Sequence, residues 1–451
     1  MDSSLCDSRL ETKNKGSVIT PASPAERILV LDVIRGVALL GILLMNILLF
    51  AFPDAAYSNI HAWGQDNEQN RLFVSLMYLL GEGKMRALFS MIFGASAVLF
   101  LEKAERHGAG IRAADLYFRR MLWLMAFGTV HAYLIWWGDI LYTFALFGLI
   151  LFVFRSVSVR NLLLTAGTLA IILFSGYVWK ASEASVVIKK FPGIISSLKT
   201  GDPLSAEQLS VRNPATRLYN RLLLPVDEIE KQVIAYRGNY SQNLGMRVRQ
   251  AWDSQRSTLY FPQGWDMFSI MLLGMALYKS GILTGKKSSA FYGWNTIVWG
   301  VCGLAVNGWA IMIFREWNFQ PIAGVLARPA VDLGRISMLF CYVAALIFFV
   351  QTGRFSWLMK ALAAVGRMAF SNYIAQSLIC SMIFYGGYGL GLFGTLERVQ
   401  LLPIVFGIWI INLTWSVLWL RYFQFGPLEW CWRSLTYWKK QPMRLQSVLE
   451  K

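Results

Sequence analysis

Charge is what this chain has little of. Only 15% of its 451 residues are Asp, Glu, Lys or Arg, against about 25% in a soluble domain. That shortage excludes an ordinary water-soluble protein of this length. Cysteine is sparse as well: Cys6, Cys302, Cys341, Cys380 and Cys431 fall in apolar runs or on the side that the charge pattern assigns to the cytoplasm. They compose neither a disulfide framework nor a metal-binding spacing, and no metal is expected. Histidine is scarcest of all, with three residues in the whole chain. A chain so poor in ionisable groups makes each one in an apolar setting informative, because a charge at membrane depth costs at least about 2.5 kcal/mol.

What the chain has instead is apolar length. Hydrophobic residues make up 56% of it and 18 are Trp. Runs long enough to span a bilayer recur near 29–52, 72–101, 117–137, 140–154, 161–179, 264–281, 290–314, 333–351, 368–385 and 401–420, which predicts an all-α, polytopic membrane bundle of about ten transmembrane helices. The first run is too long and too charged in its core for a cleavable signal, and no small-residue cleavage site follows it, so it is expected to stay as a span. With the N-terminus inside, the inner segments hold 23 Lys and Arg and the short outer loops only Arg71, Arg315, Arg328 and Arg398. Positively charged short loops stay cytoplasmic, so both termini are expected there. The net charge of +17 is thereby accounted for. It is spread over membrane-flanking loops rather than gathered on a basic helix, so the bilayer is the expected partner and nucleic acid is not.

The pattern divides the chain into a cytoplasmic tail (1–26), a first bundle of five helices (27–180), an extracytoplasmic cap (181–262), a second bundle of five helices (263–437) and a short tail (438–451). The cap region carries eleven basic and seven acidic residues and is broken by Pro192, Pro203, Pro214 and Pro225. That composition suits a small, largely helical cover over an outward-facing site.

Taken in order, the polar residues within the apolar runs are few. Asp32 and Arg35 lie three apart on one helix face at the inner end of the first span, either as a structural ion pair or to bind an anionic ligand. Asn46 follows three turns farther out. His61 stands in the first outer loop between Tyr57 and Trp63, and His107 in a charged inner loop. The stretch Gly81-Glu82-Gly83-Lys84-Met85-Arg86 interrupts the second span, and such irregular backbone is tolerated only where protein or a water-filled cavity covers it. His131 and Asp139 sit in an otherwise apolar segment. Eight residues separate them, about 12 Å along a straight helix, so they meet only if the chain reverses at Gly138; otherwise each needs another partner such as His61, Glu82 or Lys84. Asp332 and Arg335 again lie three apart, and Asn372 and Gln376 lie four apart on one face, as helix glue or as part of a site. The segment 419–433 is aromatic and basic and suits an interfacial anchor.

Five blocks, Leu-Asp-Val-Ile-Arg-Gly (31–36), Gly-Glu-Gly-Lys-Met-Arg-Ala-Leu-Phe-Ser (81–90), His131-x5-Trp-Gly-Asp-Ile-Leu, Gly-Arg-Met-Ala-x-Ser-Asn-Tyr (366–373) and Phe-Gly-Pro-Leu-Glu-Trp-x-Trp-Arg (425–433), together resemble the YeiB family of bacterial inner-membrane proteins over about 27–437. That family is grouped with the transmembrane acyltransferases, which include the lysosomal heparan-glucosamine N-acetyltransferase and the O-acyltransferases of surface polysaccharides. In the O-acyltransferases a histidine stands ten residues after the signature glycine, where this chain has Asn46. The heparan enzyme resembles this chain in having Asn there and keeps its active histidine beside Ala and Trp, a setting similar to His61-Ala62-Trp63. His131 and Asp139 belong to the YeiB pattern itself.

The resemblance implies acyl transfer from cytoplasmic acyl-CoA to a hydroxyl or amine of a small-molecule or glycan acceptor outside. Such chemistry needs a base, a carboxylate to orient it and a cation for the oxyanion. The candidate catalytic residues are His131 and His61 as bases with Asp139 and Glu82 as orienting acids. Lys84, Arg86 and Asn46 are candidates for substrate binding. Asp32, Arg35, Arg367, Asn372 and Arg433 are candidates for the cofactor side. A homodimer is a candidate assembly. The competing reading is a permease for a small anionic solute with a proton relay, and a third is a non-catalytic scaffold.

Overall fold

The computed structural model describes residues 28–106, 111–190, 218, 226–259 and 262–445. The predicted N-terminal tail, the middle of the cap, the end of the C-terminal tail and His107 lie outside the described residues.

The described chain is helical, and its only β pairing is an isolated bridge between Phe423 and Arg444. The helices are α1 (Leu29–Ala51), α2 (Glu68–Leu76), α3 (Lys84–Arg106), α4 (Ile111–Leu134), α5 (Leu141–Leu151), α6 (Val159–Lys190), α7 (Val226–Arg237), α8 (Tyr240–Ser257), α9 (Pro262–Lys279), α10 (Ser289–Glu316), α11 (Arg328–Thr352), α12 (Ser356–Arg367), α13 (Ala369–Phe384), α14 (Leu401–Tyr422) and α15 (Pro427–Tyr437), with short turns of helix between some of them. Pro53 follows the end of α1, and Pro329 and Pro427 sit in the first turns of α11 and α15, where a missing N–H costs nothing.

Every predicted apolar run coincides with a helix, and the protein is a multi-pass membrane bundle. Among the described residues six helical stretches are long and apolar enough to cross a bilayer: Leu29–Ala51, Glu68–Arg106, Val159–Lys190, Ser289–Glu316, Arg328–Thr352 and Leu401–Tyr422. The others are shorter or more polar. The Glu68–Arg106 stretch is interrupted where the sequence suggested: α2 runs into a π-turn over Met77–Gly81, and Gly83, at φ +69°, resets the chain before α3.

Burial shows which helices are central. In the apolar window of α1 67% of the residues are buried, against 11% in that of α6, so α1 is a core element and α6 presents its side chains to lipid. Around α1 pack α3, α11, α12, α13 and α14. The crossing of α1 with α12 is very close: a Cβ on Gly36 would stand 2.0 Å from the Leu362 carbonyl oxygen, and one on Gly366 would stand 1.9 Å from that of Asp32. Small residues let backbones approach in this way where lipid supplies no hydrophobic drive between helices. The glycine of the Asp-Val-Ile-Arg-Gly block is therefore a packing residue, and its two charged neighbours are turned to a different task.

Candidate active site

His131 and Asp139 meet. The last turn of α4 unwinds so that Ile135 N and Trp136 N both donate to the His131 carbonyl, each at 2.9 Å, and the six residues from Ile135 to Ile140 fold the chain back into α5. The result puts His131 Nδ1 2.8 Å from Asp139 Oδ1, with both side chains 1% exposed. The other carboxylate oxygen of Asp139 accepts from Tyr142 N at 2.7 Å, at the first turn of α5. Gly128 makes the hairpin possible, since a Cβ there would lie 2.4 Å from Tyr142 N and 2.9 Å from Asp139 Oδ2. Facing a carboxylate, Nδ1 carries the ring proton, which leaves Nε2 as a lone pair. Nε2 is buried and has no partner among the described residues. An oriented, buried imidazole with an unpaired basic nitrogen is the arrangement of a general base.

A cavity of about 270 Å³ approaches this pair from the end of the bundle where α1 begins. On α3 its lining runs from Ala104 to Phe89, about 22 Å at 1.5 Å per residue. Its mouth is ringed by Arg35, Lys103, Arg120, Arg367 and Arg433, with Asp32 and Glu429 as the acids, and its deeper walls are apolar. Arg35 is bound to Asp32 at 2.9 Å and donates to Ser96 Oγ at 2.8 Å. Arg120 stacks on Trp432, 4.0 Å from the ring centre, and Arg433 on Phe425 at 4.5 Å. Glu429 is spent on the N-terminus of α13, accepting from Phe370 N and from Ser371 N and Oγ. At the deep end stand Ile140 and Tyr373. Behind them lie His131 and Asp139: the Tyr373 and His131 ring centres are 5.0 Å apart, and Tyr373 Oη accepts from Ile140 N at 3.3 Å.

The remaining sequence candidates are elsewhere. Glu82, Lys84 and Arg86 form a second polar cluster around the break between α2 and α3. Glu82 accepts from Tyr57 Oη; Lys84, fully buried, donates to Tyr78 O at 2.7 Å and Asn307 Oδ1 at 2.9 Å; Arg86 pairs with Asp266 at 3.5 Å. Arg335 joins the cluster by binding Asp266 and Asp332, each at 2.7 Å. Among the described residues no hydrogen bond or ion pair links this cluster to His131. His61 is half-buried in the first loop, with Nε2 2.7 Å from the Asn318 carbonyl and Nδ1 3.4 Å from Asp66. Asn46 is half-buried on α1 and does not line the cavity. Asn372 does not line it either: it binds Ser416, Val365 O and Trp415 and ties α13 to α14.

The structure adds Tyr373, Arg120 and Lys103, which the sequence reading did not single out. Tyr373 closes the Gly-Arg-Met-Ala-x-Ser-Asn-Tyr block and the other two lie in the basic inner segment, so charge and position carry a signal for those two but an aromatic among so many carries none.

At the opposite end α7 and α8 close over the hairpin. Arg247 is fully buried and donates to the Leu134 carbonyl, and Tyr236 stacks on Tyr385 with ring centres 4.6 Å apart. A cleft of about 380 Å³ opens between these helices and Trp137, with Asp54, Gln232 and Gln250 on its walls.

Residues 277–439 match a family described as protein of unknown function DUF418. Over nearly its whole length the chain is similar to two bacterial proteins: the uncharacterised YxaH of Bacillus subtilis strain 168, 31% identical over 434 residues (95% of this chain, 98% of the relative), and the uncharacterised YeiB of Escherichia coli strain K12, 32% identical over 416 residues (91% and 96%). An uncharacterised 39.9 kDa protein from the amylase 3′ region of Bacillus acidopullulyticus is 26% identical over 427 residues (94% and 98%).

Proposed function

The chain belongs to the YeiB family, and from that premise and the shape of its cavity we propose that it is a transmembrane acyltransferase of the bacterial inner membrane, moving an acyl group from cytoplasmic acyl-CoA to a hydroxyl or amine outside. The observation that carries the reading is the cavity itself. It joins a mouth of five cationic side chains to a floor one side chain away from an oriented histidine whose basic nitrogen has no partner among the described residues.

A phosphorylated carrier with a long uncharged arm suits that shape. Arg35, Arg120 and Arg433 would meet the phosphates, the guanidinium being the side chain matched to them. The apolar walls would take the arm and the acyl chain. His131 Nε2 would accept the proton of the acceptor as its oxygen or nitrogen attacks the thioester carbonyl. Asp139 would stabilise the imidazolium so formed, and the Tyr373 hydroxyl, held only through its oxygen, could donate to the carbonyl oxygen as charge develops there. Collapse breaks the C–S bond, and His131 returns its proton to the thiolate.

A second reading has its own support. The broken helix at Met77–Gly83 beside three cations and three carboxylates (Lys84, Arg86, Arg335; Glu82, Asp266, Asp332) resembles the half-helix sites of transporters, so a permease with a proton relay is the alternative.

The test is thermal stability of the detergent-purified protein with acetyl-CoA and longer acyl-CoAs. The expected result is a rise in melting temperature that Arg35→Ala abolishes and His131→Ala keeps. No shift from acyl-CoA or free CoA at millimolar concentration removes the donor and moves the permease to first place.

A further inference from the structure

The apolar wall of the cavity is interrupted on α3. The side chains that line it there recur as Phe89, Phe93, Ser96, Phe100 and Lys103, four and three residues apart, which is one face of a helix. A serine stands where the stripe otherwise carries an aromatic ring. At 1.5 Å per residue it lies about 10 Å from Phe89 at the deep end and about 12 Å from Ala104 at the mouth. It is therefore half-way down, between the ring of cations and Tyr373. The Tyr117 hydroxyl, also on the lining, is already spent on the Gly148 carbonyl at 2.8 Å.

Arg35 decides which part of that serine is free. Its Nη1 donates to Asp32 Oδ1 at 2.9 Å and its Nη2 donates to Ser96 Oγ at 2.8 Å, and all three residues line the cavity. The hydroxyl oxygen is thus in use as an acceptor, and its hydrogen is left to give. Elsewhere on these helices such a hydrogen goes back to the carbonyl four residues earlier, as from Ser75, Ser90 and Thr129. The Ser96 hydrogen meets no acceptor among the described residues. A guanidinium donating into the oxygen polarises the O–H bond and makes it a better donor.

Resting on the acyl-CoA half of the reading above, we propose that Ser96, held by Arg35 and Asp32, binds a carbonyl oxygen in the arm of the donor. It thereby selects an amide-bearing pantetheine arm over a plain hydrocarbon chain. A phosphate on an alkyl chain would satisfy the cations and fill the apolar wall, yet it would leave this hydrogen unmet. Pantetheine carries amide carbonyls between its phosphate and its sulfur, and one of them at mid-depth completes the bond. Arg35 then has a second task beside the phosphates, which is to fix the serine.

The experiment measures dissociation constants by isothermal titration calorimetry on the full-length protein in detergent. The ligands are CoA, ADP, which has phosphates and no arm, and octyl phosphate, whose arm is hydrocarbon. Ser96→Ala is expected to weaken CoA about tenfold, the worth of one hydrogen bond. ADP, octyl phosphate and the melting temperature of the free protein are expected to be unchanged. Wild-type affinity for CoA in the variant overturns the contact and leaves the donor reading standing. Equal weakening of all three ligands overturns it as well, because the serine then acts only by holding Arg35 at the mouth. No binding of CoA to the wild type overturns both, and octyl phosphate binding in its place assigns the cavity to a phosphorylated lipid chain.

Discussion

Asp54, three residues past the end of α1 at Ala51, shows how finely the cap end is balanced. Its carboxylate accepts from Gln250 Nε2 at 2.8 Å and Gln232 Nε2 at 3.5 Å, and its own N–H donates to Gln232 Oε1. Burial pushes the acid from its ordinary 3.8 up to about 6, with the two amides pulling it part of the way back. Between those values the folded protein holds a proton that the unfolded chain has released. Stability must therefore fall as pH rises through that window and level off above it. Asp66 runs the other way, held below the usual carboxylate range by its hydrogen bonds from Arg71, so its contribution is lost as pH falls. Asp54→Asn keeps the shape and removes the titration. Melted across pH 4 to 7.5, the variant is expected to gain on the wild type steadily up to about pH 6.5, and a difference that does not change with pH would sink this account.

At the scale of elements, two devices place the site, and they differ in how plainly the sequence announces them. The α1–α12 crossing is written as glycines in two motif blocks, yet nothing in the spacing says that Gly36 and Gly366 meet. Gly366→Ala would drive a Cβ into the Asp32 carbonyl and prise the helices apart beside Arg35. An overpacked contact of this kind costs about 1–3 kcal/mol. The control is Gly167→Ala on α6, where nothing lies within 4 Å of the added carbon. In detergent melts the first should drop clearly and the second hold; parallel behaviour would mean that the crossing is not tight. The α4–α5 hairpin is the other device. Its ends, His131 and Asp139, are legible as a lone His–Asp pair in a long apolar segment, and their spacing lets them touch only if the chain reverses between them. The loop that achieves it starts before Gly138, at Ile135, and depends on Gly128, whose role appears only once α4 and α5 are side by side. Tyr373 is invisible beforehand for a simpler reason: in a chain with 18 Trp and 18 Tyr, aromatic identity carries no signal until ring neighbours are seen. The break at 81–86 shows the converse case, since its charges were conspicuous in sequence but answer one another in a separate cluster.

On the scale of the whole molecule the decisive asymmetry is between the two ends. Cations gather at the mouth of the cavity, while the cleft under α7 and α8 carries Asp54, Glu228 and Asp253 with Arg249 as its one basic side chain among the described residues. A cavity lined over about 22 Å of α3 leaves His131 and Asp139, behind its floor, beyond the middle of a hydrocarbon core about 30 Å thick, nearer the cap. The positive-inside rule then assigns the mouth to the cytoplasm, the side on which the proposed acyl-CoA donor is made, and the cleft to the opposite side, that of the proposed acceptor. That assignment can be tested without knowing either substrate. In a background with the native cysteines replaced by alanine, Arg256→Cys on α8 and Lys439→Cys after α15 place single exposed thiols at the two ends. A membrane-impermeant maleimide should label Arg256→Cys in intact cells stripped of their outer membrane, and Lys439→Cys only after permeabilisation. The reverse pattern would turn the cationic mouth outward, away from any supply of acyl-CoA. The same five cations would then face an external anionic solute, and the permease would explain them better than the transferase.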